Sequence, residues 1–361
     1  MIGSFRDDIA IQGSVIRRIA AASSGAFELR DQIRDGAALL GGAHRPIALV
    51  GMGSSLHAAR TALHRFAQLG RFAVAYDAGE LLHFGLPGLP SGASVIAISQ
   101  SGKSAETVEV AERLREADRK RHLLAIVNDL DSPLARLATV AIPMGAGVEV
   151  AVATRTFIAA SVLLQLLVDE LAGVSSARDD LAGLAAALDD LSADDSAANA
   201  VVAGFAHLRS LEVVGRGASL GVAHYGALTI KETAAFPAEA LSGGAFRHGP
   251  LELVDAPAGA IVLVPSGPTA QLGMRLAREI SAAGWETWAI GAEVVVRQLR
   301  TGRRGTGSDA RLVVTGVPKL DGPFAALPLV VPLQQLAAVL AERRGRIPGN
   351  LLRGSKVTET Q

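Results

Sequence analysis

Val50-Gly51-Met52-Gly53-Ser54-Ser55-Leu56 returns 164 positions later as Val214-Gly215-Arg216-Gly217-Ala218-Ser219-Leu220. Repeats of this kind, once found, set the architecture that the rest of a chain must fit. Two further pairs keep nearly the same offset and the same order: Ser101-Gly102 with Ser266-Gly267, and Leu124-Ala125-Ile126 with Trp288-Ala289-Ile290. Each match alone is at the level of chance. Three in sequence predict a duplicated domain.

Around the first copy, short apolar runs stand apart by helix-length stretches: Ile47-Ala48-Leu49-Val50, Val95-Ile96-Ala97-Ile98 and Leu123-Leu124-Ala125-Ile126-Val127. Strands alternating with helices predict a parallel sheet covered on both faces. Upstream, Ile9, Ile11, Val15, Ile16, Ile19 and Ala20 recur at helical spacing with Arg17 and Arg18 on the other side, which predicts one amphipathic helix. Between Ser175 and Ala200 the composition turns to Ala, Asp and Ser, yet Leu181, Leu184, Leu188 and Leu191 keep an apolar stripe. That stretch is expected to be a helical connector, not a disordered linker. The expected fold is α/β: two tandem three-layer α/β/α domains with parallel sheets, flanked by an N-terminal helix and a C-terminal tail. The expected boundaries are 1–35 for the N-terminal helical segment, 36–174 and 201–344 for the two domains, 175–200 for the connector and 345–361 for the tail.

The chain has 361 residues, enough for two domains. Its 35 Lys+Arg balance 35 Asp+Glu, so no bulk attraction for polyanions is expected, and nucleic acid is not an expected partner. Cysteine is absent, which removes disulfides, cysteine zinc sites and thiol nucleophiles and suits the cytoplasm. Arg6, Asp7 and Asp8 do not open a signal peptide, and the apolar stretch Phe157 to Val168 is too short to span a bilayer, so no membrane association is expected. The eight histidines are scattered, none in a His-x-x-x-His pair near an acid; no metal and no cofactor is expected.

In open α/β sheets, ligands bind beyond the carboxyl ends of the strands, so the strand-to-helix loops are where chemistry is sought. Ser99-Gln100-Ser101-Gly102-Lys103-Ser104 follows one strand and precedes a helical stretch, and backbone N–H groups with hydroxyls alongside suit a phosphate. Helix capping by Ser101 or Ser104 is the alternative. The spacing of a Walker loop is absent. Gly51-Met52-Gly53-Ser54-Ser55 is a second such turn, readable equally as a plain tight connection; Leu56 stands where a nicotinamide fingerprint needs glycine. Lys231-Glu232, Glu239 and the turn Phe246-Arg247-His248-Gly249-Pro250 place a carboxylate and an imidazole in one region, suited to proton transfer beside a carbonyl. Singly, Glu232 also fits a solvated helix face and His248 an ordinary turn residue. Lysine occurs only at 103, 120, 231, 319 and 356, and the last lies in the tail; unlike arginine, a lysine can form an imine with a carbonyl. A surface cation on a frayed terminus is the other reading of Lys356.

Together these residues resemble the tandem sugar isomerase (SIS) domain family, in particular the isomerase half of glutamine-fructose-6-phosphate aminotransferase and stand-alone glucosamine-6-phosphate deaminase and phosphosugar isomerase relatives. The resemblance runs through Ser99-Gln100-Ser101-Gly102, the segment from Glu232 to His248-Gly249-Pro250, and Lys356-Val357-Thr358. Gly53-Ser54-Ser55-Leu56-His57-Ala58 resembles the family's first phosphate turn, Glu149 to Phe157 its ligand-lining loop, and Asp8-Ile9 with Gln12 its opening helix. The resemblance implies that Ser55, Ser99, Gln100, Ser101 and Ser104 hold a sugar phosphate, with Ser104 where threonine is usual. It implies that Val152 and Ala153 line the sugar through their backbone, in a loop one residue shorter than usual. Glu232 is then the base moving a proton between C1 and C2. His248 is the ring-opening histidine, which in the family reaches a neighbouring subunit's site and so implies a homodimer, and Lys356 engages the open-chain ketose.

Two positions depart from the family pattern: Thr229 stands where the aminotransferase has a catalytic lysine, and Ala245 replaces a common glutamate. An amidotransferase domain with its N-terminal cysteine is not among these residues, so drawing ammonia from glutamine is the family activity least expected. The expected activity is deaminating isomerisation of an aminohexose 6-phosphate by 1,2-proton transfer. The alternatives are a simple aldose-ketose isomerase, a fructosamine-phosphate deglycase and a non-catalytic sugar-phosphate sensor.

Overall fold

The computed structural model describes residues 3–23, 28–42, 44–149, 152–174, 176–300 and 311–353. The chain divides into two compact units, each built on one sheet. Ser14–Glu149 and Arg155–Ala182 belong to the first; Gly183–Leu352, with the short stretches 3–13 and 152–154, belongs to the second.

In the first unit β1 (Ile47–Gly51), β2 (Ala73–Asp77), β3 (Ser94–Ser99), β4 (Leu123–Val127) and β5 (Val140–Pro143) pair in the order β2-β1-β3-β4-β5. Every pairing is parallel. The strands β1, β3 and β4 are buried at every position, which is why they read as unbroken apolar runs, whereas the edge strands β2 and β5 are largely half-buried. Full burial of a side chain such as Ile96 or Leu124 stabilises by about 1.5–3 kcal/mol. One face of the sheet packs on the helix Ala105–Ala117, whose Val110, Ala111 and Leu114 join Val95, Ala97 and Leu123 in a single buried cluster. The other face is covered by the helices Glu28–Leu40 and Arg155–Ala172. Gly36 lies so close to Leu124 that any side chain there would collide with it.

The second unit repeats this plan. Its strands β6 (Ser210–Gly215), β7 (Ala238–Ser242), β8 (Ala258–Val264), β9 (Glu286–Ala292) and β10 (Leu312–Val317) pair in parallel in the order β10-β9-β8-β6-β7. Read from the other edge, this is the order of the first sheet. Met274, Leu276, Ala277 and Ile280 of the helix Ala270–Ala282 cover one face with Val214, Ala260, Val262 and Ala289. The helix Ala218–Ala234 lies against β6 and β7 and packs on the helix Val330–Arg343, where Gly226 makes room for Leu333. The stretch Gly322–Arg343 is long and apolar enough to cross a membrane by length and composition, but 89% of its most apolar window is buried as a core helix of this unit.

The fold therefore agrees with the expected duplicated three-layer architecture. The N-terminal segment differs from the single helix expected. Two helices, Phe5–Ala10 and Gln12–Ser23, meet at Ile11, which leaves helical geometry (φ −99°, ψ 6°) and is 39% exposed instead of sharing the apolar stripe. The first of them starts at a capping box in which Asp7 N–H donates to Ser4 Oγ and Ser4 N–H to the Asp7 carboxylate. The connector stretch holds the helices Ser176–Ser192 and Ser196–Gly204, with Leu181, Leu184 and Leu188 buried.

Candidate functional site

Strand order reverses direction between β1 and β3: from β1 the chain steps outward to β2, then returns to the other side as β3. The crevice at the carboxyl ends of such a strand pair is where open α/β sheets take their ligands. Both serine-bearing turns of the first unit sit there. Gly51 ends β1 with its Cα so close to Ile98 O and to the Ser55 backbone that a Cβ would stand 3.1 Å from each. Glycine at this position thus lets the Ser55 turn close against the end of β3.

The turn after β3 is held by its own hydroxyls. Ser99 and Ser104 share a hydrogen bond of 3.1 Å between their Oγ atoms, Gly102 N–H donates to Ser99 Oγ, and Lys103 N–H donates to Ser101 Oγ. Gly102 takes φ +63°, and a side chain there would run into Ser132. Ser99 is buried, while Gln100, Ser101, Ser104 and Ser55 are half-buried. Ser104 occupies the N-cap position of the helix Ala105–Ala117, yet its side chain makes no capping bond. The first-turn N–H groups of a helix have no intrahelical acceptor, so the turn combines donors and hydroxyls of the kind that bind a phosphoryl group.

The second unit holds the proton-transfer candidates. Glu232 lies in the last turn of the helix Ala218–Ala234, half-buried, and burial pushes its carboxyl up to about 7, against a smaller opposing effect of the Lys231 charge. A carboxyl tuned to that range accepts and returns protons near neutral pH. Lys231 itself points to Glu239, with 3.4 Å between Nζ and Oε1.

Tyr225 lies seven residues before Glu232, on the same helix face about two turns away. Its hydroxyl donates to Ala153 O at 2.7 Å and accepts from Gln334 Nε2 at 2.7 Å, and Gln334 also bonds to Gln12. All three polar side chains of this network are fully buried. It ties the stretch 152–154, where Val152 is buried and Ala153 half-buried, to the helix that carries Glu232. Sequence reading missed Tyr225 and Gln334; the signal available was the seven-residue spacing from Tyr225 to Glu232.

His248 is exposed in the turn between the short helical segments Ala245–Arg247 and Pro250–Asp255. Lys356 lies outside the described residues. Thr229 is fully buried and its hydroxyl finds no hydrogen-bond partner among the described residues; Ala245 is exposed. Glu212 was also missed. It faces Glu239 across β6 and β7, and burial, then the Glu239 charge, push its carboxyl up to about 7. No group of three or more His, Asp or Glu side chains suited to a metal occurs among the described residues.

The model for the SIS domain matches residues 42–169 and 205–291. The glutamine-fructose-6-phosphate aminotransferase (isomerizing) of Zymomonas mobilis is 28% identical over 310 residues, covering 83% of this chain and 49% of that protein. The chain therefore spans about half the length of that relative. Among solved structures, tagatose-6-phosphate ketose/aldose isomerase from Escherichia coli superposes with a TM-score of 0.77 at 20% identity, covering 98% of each chain. Glucosamine-6-phosphate deaminase from Thermotoga maritima superposes with a TM-score of 0.70 at 21% identity, covering 95% of this chain and 98% of that one. Structures with different named activities thus share this fold, and the model match, extending over more than half of the chain and strands of both sheets, establishes that the chain belongs to the SIS domain family.

Proposed function

We propose that the chain is a phosphosugar isomerase that converts an aminohexose 6-phosphate to the ketose phosphate with loss of ammonia. In this reading Ser55, Ser99, Gln100, Ser101 and Ser104 hold the phosphate, and the backbone of Val152 and Ala153 lines the sugar. His248 assists ring opening, and its exposure suits a side chain serving a neighbouring subunit in a homodimer. Glu232 takes the proton from C2 of the open-chain amino aldehyde and delivers it to C1, and the electron pair of the broken C–H bond forms the enol intermediate. Protonation at C1 leaves an imine at C2. Water adds there and ammonia departs, so one water is consumed for each ketose formed. Lys356 engages the ketose carbonyl, and the enzyme works in the cytoplasm without cofactor or metal.

The observation that carries this reading is the half-buried Glu232 carboxyl, pushed up to about 7, on the same helix face that anchors the Ala153 stretch. A base of that strength removes a proton beside a carbonyl without being locked in its protonated form at neutral pH. The test is turnover on glucosamine 6-phosphate and on related hexose and aminohexose 6-phosphates, following ammonia and ketose together, with wild type and Glu232→Gln. Equal ammonia and ketose, both abolished in the variant, support the proposal. Ketose formed only from ammonia-free sugars would replace it with the simple aldose-ketose isomerase, and binding without turnover would leave the deglycase or the sensor.

A further inference from the structure

The second sheet has its own crevice at the strand pair that corresponds to β1 and β3. Its β6 and β8 flank the reversal of strand order, and the chain leaves each of them through a turn in register with the first unit. Ser101-Gly102-Lys103-Ser104-Ala105 is matched by Ser266-Gly267-Pro268-Thr269-Ala270, and a helix starts at Ala105 in one and at Ala270 in the other. Gly267, like Gly102, has positive φ. In the other turn, Arg216 stands where the first copy has Met52.

Between these turns lies a small, open cleft lined by Gly215, Arg216, Gly243, Thr269, Val214 and Leu263. The guanidinium of Arg216 makes no hydrogen bond or ion pair among the described residues, and its Nε is shielded from water without an acceptor. A desolvated donor left unpaired is a standing cost unless an acceptor arrives from outside. The Thr269 hydroxyl is likewise not engaged in capping the helix that follows it. Ser266, the counterpart of Ser101, is committed to Leu320 O. The second crevice thus keeps the hydroxyl at the helix start, loses one serine, and gains a fixed positive fork.

We propose that this cleft is a second anion site, taking the phosphoryl group of free phosphate or of a small phosphomonoester. A guanidinium binds phosphate oxygens in a bidentate, charge-assisted way that an ammonium or a hydroxyl does not match. The closed part of the cleft is no larger than a water molecule, so the phosphoryl group would sit at its open mouth, against the Arg216 fork. The site lies within the second unit and is independent of the phosphate turn assigned to the first.

Equilibrium dialysis of the full chain against inorganic phosphate, and separately against glucosamine 6-phosphate, tests the assignment. Wild type is expected to bind two phosphates per chain. Arg216→Met, which restores the residue of the first copy, is expected to keep one and weaken the other at least about tenfold. Gly243→Ala places a Cβ 2.8 Å from Arg216 Nε and Nη2 and is expected to weaken the same class by displacing the guanidinium. Ser101→Ala with Ser104→Ala is expected to remove only the other class. An Arg216-dependent class that prefers the sugar phosphate identifies a monoester, and one that prefers inorganic phosphate identifies the free ion; either supports the proposal. Two sites undiminished in both Arg216→Met and Gly243→Ala would overturn it. So would a single wild-type site lost on the serine substitutions. A single site lost on Arg216→Met alone would uphold it and refute the phosphate turn of the first unit.

Discussion

Replacing Glu232 with glutamine separates two consequences of one buried carboxyl. Holding that group at about 7 instead of 4.5 corresponds to about 3 kcal/mol of disfavour for its charged form, and its partial contact with water reduces the expected effect to about 1–3 kcal/mol. A carboxyl whose folded value lies above its unfolded value binds more protons in the native state. Its contribution to stability is therefore complete below about 4.5 and is lost as pH rises through about 7. Glutamine is neutral throughout, so Glu232→Gln is expected to gain stability over wild type as pH rises, from little difference at pH 5 to about 1–3 kcal/mol at pH 8.5, read by urea unfolding. Over the same range wild-type kcat/KM should climb with an apparent pKa of about 7, and the variant should lose activity by about 10²–10⁴-fold. Glu212→Gln is the matched control, because the same rise in its carboxyl predicts the same stabilisation with turnover intact. A stability difference that does not grow with pH, or a Glu212→Gln enzyme as inactive as Glu232→Gln, would exclude Glu232 as the buried carboxyl that serves as base.

Other substitutions probe the supports of the site. Gly102→Ala forces positive φ on a residue with a Cβ and drives that Cβ into Ser132, so it should cost at least about 2 kcal/mol and weaken sugar-phosphate binding at least tenfold by calorimetry. Tyr225→Phe leaves Ala153 O without its donor and removes one of the two acceptors of Gln334 Nε2, which keeps Gln12 Oε1; it should cost about 1–3 kcal/mol in thermal unfolding, with KM rising if the Ala153 stretch lines the sugar. Thr229→Val keeps the shape of the side chain and removes a buried hydroxyl that has no partner among the described residues; it should be neutral or stabilising by up to about 1 kcal/mol, and a loss above that would reveal a hidden bond.

The sheets were legible in the sequence because their interior strands are buried on both faces: β3 and β4 read as apolar runs with nothing polar to interrupt them. Edge strands were not. Ala73–Asp77 is half-buried throughout, and its run of small Ala residues with Tyr76 is less apolar than the interior strands. The break at Ile11 escaped the helical periodicity because the spacing of apolar residues says nothing about the backbone angles of one residue between two helices. The serine turns were visible as hydroxyls beside glycines, but the Ser99–Ser104 bond that closes one of them depends on backbone geometry that composition does not encode. Least legible was the Gln12, Gln334, Tyr225 and Ala153 network, whose members come from four separate stretches of chain and meet only once the second unit is folded. In the same way, the pair Lys231-Glu232 looks like surface charge in the sequence. Only burial of the second residue, with the first turned to Glu239, sets its carboxyl apart.

Proton transfer between C1 and C2 is tested most directly with glucosamine 6-phosphate carrying deuterium at C2. The label is expected to leave C2, reaching C1 or solvent water, turnover to slow severalfold from the isotope, and Glu232→Gln to bind the sugar without moving the label. Ketose phosphate formed with oxidation-state change at C2 but with label loss undiminished in Glu232→Gln, or a sugar released with deuterium still at C2, would contradict it.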